Sequence, residues 1–164
     1  MTMIDGKATL VISSQTHVAS DVTRALGILP DWSAERGDER VRDDGTSVSL
    51  RRRYFESAMW ALEVDASPAT MMAVDEDAAK GFGTLYVLVD RLLGRGPSLA
   101  MLRDNDYTMY IRWYGTSGSA QGGFLLPRDL LRDIAELGCD FFGNVYPFEG
   151  ERGRNLRGLR AINA

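Results

Sequence analysis

Few side chains in this sequence belong to the types that carry out nucleophilic or metal chemistry. The 164-residue chain has one histidine, His17, and one cysteine, Cys139. A zinc site of nitrogen and sulfur ligands cannot be assembled from this pair, and no intrachain disulfide can form. His17 falls between a predicted strand and a predicted helix, but its serine neighbours on a loop do not make a catalytic triad. We therefore expect both His17 and Cys139 to be structural.

The acidic and glycine-rich segments also lack a complete ligand motif. Asp104 and Asp106 resemble the opening of a calcium loop, yet Met109 and Gly115 occupy the positions that require glycine and a bidentate glutamate. The stretch 115–123 is rich in glycine and serine but lacks the Gly-Lys-Ser/Thr ending of a phosphate loop. The sequence predicts neither a metal site nor a cofactor.

The charge balance indicates which partners the chain is suited to. Its formal net charge is −4, which argues against a protein whose main task is to grip phosphate backbones. Three consecutive arginines, 51–53, lie on an alternating segment, where basic side chains discourage edge pairing. We expect no nucleic acid partner. The sequence lacks an apolar run of roughly 18 residues and a signal-peptide-like start, so we expect no membrane contact and a cytoplasmic location.

One predicted strand, 107–114, carries residues that suit binding. Its Tyr107, Met109, Ile111 and Trp113 form an apolar set. Because side chains alternate along a strand, Tyr110, Arg112 and Tyr114 share the opposite face. Tyrosine and arginine are enriched among the residues that dominate protein interfaces. This face is therefore predicted to contact a second copy of the chain or another protein.

A second group of residues leaves a different kind of site open. Trp32, Asp38 and Arg40 lie in a polar loop at 31–45, and Trp60 lies on a later strand. If these aromatic and charged side chains converge in a cleft, they form a small-molecule or enzymatic site. If they are scattered, the protein-binding interpretation is favoured.

Hydrophobic periodicity predicts the elements that position these residues. Strands are predicted at 8–13, 46–54, 58–64, 99–102, 107–114 and 139–146, and helices at 20–27, 77–93 and 127–137. Ser20 is a predicted N-cap, and Gly27 and Gly138 are predicted helix ends. The segments ending in Leu26-Gly27 and Leu137-Gly138 echo each other. We therefore predict an α+β domain of two ferredoxin-like halves, with a mainly antiparallel sheet and helices on one face.

Several short motifs follow one another in a fixed order: the opening strand, Leu26-Gly27-Ile28-Leu29-Pro30, Gly37-Asp38, Trp60 with Leu62, the helix ending near Leu93, and Leu137-Gly138-Cys139-Asp140 with Tyr146. This order of features resembles domain-of-unknown-function family 4279. The resemblance covers roughly residues 8–148 and implies a small bacterial α+β protein with no established activity and no defined catalytic residues.

The domain prediction divides the chain at residue 148. Residues 1–148 are predicted to form one α+β domain, and residues 149–164 an Arg- and Gly-rich tail. The sequence favours a non-enzymatic binding or accessory domain, regulatory or immunity-like. The alternative is a small-molecule-binding or enzymatic domain with its site around the 31–45 loop.

Overall fold

A computed structural model describes residues 3–40, 54–72, 81–117 and 124–147 of the chain. This part contains five strands and five helices. In chain order they are β1 (Met3–Ser14), α1 (Ala19–Leu26), β2 (Trp32–Ala34), β3 (Ala58–Asp65), α2 (Pro68–Met72), α3 (Gly83–Leu92), α4 (Gly96–Asp104), β4 (Thr108–Ser117), α5 (Arg128–Leu137) and β5 (Asp140–Pro147).

The five strands form one mixed sheet in the order β2-β3-β1-β4-β5. The pairs β2–β3, β3–β1 and β1–β4 are antiparallel, whereas β4 and β5 are parallel. Helix α5 lies between β4 and β5 in the chain and makes the crossover that parallel neighbours require. The α+β class is confirmed. The mainly antiparallel character is not, because the sheet is mixed.

The predicted echo between the two halves holds at the helix ends only. Gly27 and Gly138 both adopt the left-handed conformation, with φ of 65° and 68°, directly after α1 and α5. The chain then enters different environments: β2 pairs antiparallel with β3, but β5 pairs parallel with β4. Two ferredoxin-like halves are therefore not confirmed.

The core lies between one face of the sheet and the helices. Leu10 and Ile12 of β1, Trp60 of β3, and Ile111 and Trp113 of β4 are fully buried on this face. Side chains from α1, α3, α4 and α5 belong to the same cluster. The predicted burial of the set containing Ile111 and Trp113 is confirmed, because β4 alternates with a period of two.

The predicted strand at 99–102 is wrong, because these residues lie inside helix α4. Pro97 sits in the first turn of that helix, where its missing N–H costs nothing. Leu99 and Leu102, three residues apart, are the buried positions. A run of four apolar residues does not distinguish a strand from a helix by periodicity, and Pro97 marks a helix start as well as a helix end.

The N-terminus of α1 is stabilised by a residue distant in sequence. Val18, not Ser20, is at the cap position and its side chain makes no capping hydrogen bond. The carboxylate of Glu35 instead accepts a hydrogen bond from the Ala19 amide at 3.0 Å. The negative charge also complements the positive end of the helix. The predicted cap at Ser20 is therefore wrong.

Several predicted segments extend beyond the described residues. The predicted strand at 46–54 lies outside them except for Tyr54, which forms an isolated bridge with Glu39. The first residues of the predicted helix 77–93 and the whole tail 149–164 also lie outside. Within the predicted polar loop at 31–45, residues 32–34 form the short strand β2.

Candidate binding face around Arg112

The sheet face opposite the core cluster is called the open face here. It carries Tyr110, Arg112 and Tyr114 of β4, each half-buried, between the fully or nearly fully buried side chains of the core set. The structure thus brings the three predicted binding residues together on one side of the sheet. They are neighbours because alternate residues of a strand project from the same face.

Arg112 lies on β4, the strand next to the edge strand β5, and has no ion-pair partner in the described part of the chain. Its guanidinium carbon lies 5.1 Å from the centre of the Tyr114 ring, a cation–π arrangement. Its Nε is buried and makes no hydrogen bond. A buried donor without a partner lowers the stability of the folded protein, so a hydrogen bond to this atom would be favourable.

Thr9 is the direct cross-strand neighbour of Arg112 in the β1–β4 register. Thr9 is 1% exposed, and its hydroxyl is also buried without a hydrogen-bond partner. Opposite residues in an antiparallel pair have Cβ atoms about 5 Å apart. The open face therefore holds two unsatisfied polar groups side by side. Both are hydrogen-bond donors, so one acceptor could serve both if the Arg112 side chain shifted to admit it.

Aromatic side chains extend the open face onto β5. Phe142 stands beside Arg112 in the parallel register, and Tyr146 lies four pairs further along, beside Thr116. They are 54% and 52% exposed, and the Tyr146 ring centre lies 6.1 Å from that of Tyr114. Burial raises the pKa of the Tyr114 phenol, so this hydroxyl remains a neutral donor at physiological pH. The candidate site is thus an arginine among four aromatic rings.

Sequence reasoning did not include Phe142 and Tyr146 in the site. Their alternation with Gly143 and Val145 was visible, but only the parallel pairing of β5 with β4 shows which face they occupy. Gly143 projects toward the core, where a Cβ would lie 2.5 Å from the Phe124 ring. The glycine therefore leaves room for Phe124, while its neighbour Phe142 lies on the open face because it pairs with Arg112.

The other charged groups described on this part of the open face are one lysine and two carboxylates, which together carry a net negative charge. Lys7 forms an ion pair with Glu63 and lies 3.7 Å from an oxygen of Asp65. Trp32 donates its indole N–H to Glu63 at 3.2 Å. Lys7 reaches this position because Gly6 forms a bulge, where a Cβ would lie 2.6 Å from the Tyr114 carbonyl oxygen. Glu63 is thereby engaged by Lys7 and Trp32.

The residues of the alternative cleft are divided between two places. Trp32 is 37% exposed on the open face, and its ring centre lies 6.5 Å from that of Phe55. The guanidinium carbon of Arg40 lies 4.6 Å from the Phe55 ring centre, so Phe55 stands between Trp32 and Arg40. Asp38 accepts a hydrogen bond from the Glu35 amide at 2.7 Å. Trp60 faces the core and donates its indole N–H to the Thr23 hydroxyl at 3.0 Å. The structure does not place Trp60 beside the other three.

Two concave regions of the described part lie away from both sets of predicted residues. One, of about 460 Å³, is lined by residues of α1 and α4 with His17, which stacks on Tyr107 at 5.3 Å. The other lies beside Arg128, Asp129 and Arg132 at the start of α5. Among the described residues there is no group of three His, Cys, Asp or Glu side chains that suits a metal ion.

A family model described as "Domain of unknown function (DUF4279)" matches residues 4–146. This match covers all five strands of the sheet except the first residue of β1 and the last residue of β5. The chain belongs to the DUF4279 family. No match to the chain is found among curated proteins or among solved structures.

The DUF4279 match agrees with the boundaries of the sheet but assigns no chemistry to it. It ends at Tyr146, one residue before the end of β5. In the described part of this DUF4279 domain, no helix has the length and apolar character needed to cross a membrane. Its open face presents hydrogen-bond donors and aromatic rings, groups that commonly contact a bound partner.

Proposed function

We propose that this DUF4279 domain is a non-enzymatic binding module that docks a protein partner on the open face and anchors a partner carboxylate at Arg112. The observation that carries the proposal is the half-buried side chain of Arg112, which has a buried, unpaired Nε and no ion-pair partner among the described residues.

The chemistry of Arg112 selects the anchored group. A guanidinium presents a fixed fork of N–H donors that matches a carboxylate in a bidentate geometry. Arg112 is already held over the Tyr114 ring, so little side-chain freedom remains to be lost on binding. A carboxylate at this position pairs with the guanidinium N–H groups of Arg112, and it reaches the buried Nε and the buried Thr9 hydroxyl only if the Arg112 side chain shifts.

The shape of the open face favours a protein over a small molecule. Its aromatic rings are spread over β4 and β5, and neither of the two concave regions described above includes them. Tyrosine, phenylalanine and arginine around a partly desolvated centre are typical of protein interfaces. The separation of Trp60 from Trp32, Asp38 and Arg40 also weighs against the alternative cleft.

The biological role within this proposal is accessory. A domain that covers an acidic patch of its partner acts by blocking or positioning that partner, which is a regulatory or immunity-like role. We place it in the cytoplasm, where a free thiol such as Cys139 stays reduced.

The proposal is tested with phenylacetate, which combines a carboxylate for Arg112 with a ring for the aromatic surface. Binding is followed by NMR through the Nε–H signal of Arg112 and the amides of β4. We expect a dissociation constant on the order of 1 mM, about −4 kcal/mol, typical of a fragment. Phenylacetamide, the neutral isostere, should bind at least about tenfold more weakly because it lacks the charge.

The matched variants are Arg112→Gln and Arg24→Gln. Arg24 is an exposed arginine on α1, paired with Asp21, and serves as the charge control. Loss of phenylacetate binding in Arg112→Gln but not in Arg24→Gln supports the anchor. Equal shifts with phenylacetate and phenylacetamide, or undiminished binding by Arg112→Gln, would refute it.

A further inference from the structure

Strand β5 forms one edge of the sheet and lacks the usual protection of an edge. In the described part of the chain it pairs with β4 and has no strand on its other side. Exposed edges are commonly short, bulged or marked by lysine, which discourages pairing with other chains. The opposite edge, β2, has three residues, but β5 has eight, none of them Lys or Arg, and its proline is the last residue.

The exposed aromatic residues of β5 are placed symmetrically. Phe142 and Tyr146 each lie two residues from Asn144 and share the open face. In an antiparallel pair of two β5 strands centred on Asn144, each Phe142 stands opposite the partner's Tyr146. Aromatic pairs directly opposite each other stabilise antiparallel strands. One spacing therefore serves both copies, as a two-fold interface requires.

We propose that this DUF4279 domain forms a two-fold dimer in which β5 pairs antiparallel with β5 of a second copy, centred on Asn144. The second copy is favoured because the aromatic spacing is self-complementary and because Asp140, the one charged residue of β5, lies at its end. In this register the two Asp140 carboxylates lie at opposite ends of the strand pair and do not repel each other.

The dimer joins two five-stranded sheets into one. A two-fold axis perpendicular to the sheet keeps both open faces on the same side, so the two Arg112 anchors face the same partner surface. The second copy is one protein partner of the open face, so the dimer rests on the proposed function of that face in protein binding. The dimer and the carboxylate anchor are nevertheless separable, because Asn144 and Arg112 lie on different strands.

The dimer is tested by light scattering on the full chain from about 1 µM to about 1 mM, the range in which interfaces of modest affinity titrate. We expect the mass to rise from 18.1 kDa to twice that value. Asn144→Lys places two ammonium groups together on the two-fold axis and should return the protein to a monomer. An equimolar mixture of Asn144→Lys and Asn144→Asp should recover the dimer, because the charges then attract.

Leu131→Lys, at an exposed position of α5, is the matched control and should remain dimeric. If Asn144→Lys fails to fold by circular dichroism, the double variant Phe142→Ser with Tyr146→Ser replaces it. Arg112→Gln should keep the dimer mass while losing phenylacetate binding, which separates the two proposals.

Two outcomes would overturn the dimer proposal. One is a dimer whose mass is unaffected by Asn144→Lys. The other is a wild-type monomer across the whole concentration range, and protection of its free-edge β5 amides from hydrogen exchange would then assign that edge to another segment of the chain.

Discussion

Replacing Thr9 by valine should stabilise the protein, although threonine-to-valine changes at buried positions usually remove a hydrogen bond. Thr9 is 1% exposed and its hydroxyl has no partner in the described structure. Valine has nearly the same shape and no polar atom. An unsatisfied buried hydroxyl costs about 1–3 kcal/mol, so Thr9→Val should raise the free energy of unfolding by about 1–2 kcal/mol.

The matched control is the same substitution at Thr23. The Thr23 hydroxyl accepts the indole N–H of Trp60 at 3.0 Å, and Trp60 is 0% exposed. Thr23→Val therefore leaves a fully buried donor without a partner and should lower stability by about 1–3 kcal/mol. One chemical change is thus expected to act with opposite signs at two positions.

Urea titrations followed by tryptophan fluorescence measure both effects, with an unchanged m-value as the check that the denatured state is unaltered. For a chain of this size about 1 kcal/mol corresponds to about 2–4 °C in melting temperature. If Thr9→Val lowers stability as Thr23→Val does, the Thr9 hydroxyl has a partner in solution. The claim that the open face holds an unsatisfied hydroxyl at Thr9 would then be refuted.

Two further predictions concern the core and the cysteine. Trp113 is fully buried, with its ring 4.7 Å from that of Phe82, so Trp113→Ala should cost about 3–5 kcal/mol in a urea titration. A loss below about 1 kcal/mol would contradict the assigned faces of β4. Burial raises the pKa of the Cys139 thiol to about 11, so at pH 8 only about one molecule in a thousand carries the reactive thiolate. Labelling with a disulfide reagent should be slow at pH 8 and should accelerate about tenfold per pH unit while the protein stays folded. Rapid labelling of the folded protein at pH 8, or a drop of several degrees in melting temperature with reductant or chelator, would contradict a structural role for Cys139 and His17.

The site was partly accessible to sequence reasoning. Strict alternation along β4 placed Tyr110, Arg112 and Tyr114 on one face, because the geometry of a single strand determines which residues project together. The same reasoning did not show that Arg112 lacks an ion-pair partner among the described residues or that Thr9 lies beside it. Those facts depend on the β1–β4 register, which joins residues about a hundred positions apart.

The failed predictions share a physical origin. The strand predicted at 99–102 is a helix, because a four-residue apolar run fits both periods and its packing against neighbouring helices decides between them. The cap expected at Ser20 is supplied by Glu35, a residue that only the folded chain brings to the start of α1. The mixed sheet arises because α5 returns the chain for a parallel β5.

The sequence by itself determined the α+β class, the two glycine-terminated helices, the buried set of β4 and the family resemblance that the match over residues 4–146 confirms. These are local properties, set by side-chain periodicity and by the backbone freedom of glycine. The tertiary structure decided the strand order, the register that pairs Thr9 with Arg112, and the edge position of β5 with Phe142 and Tyr146 on the open face. Pairing between distant strands depends on the packing of the whole chain, and no short segment of sequence encodes it.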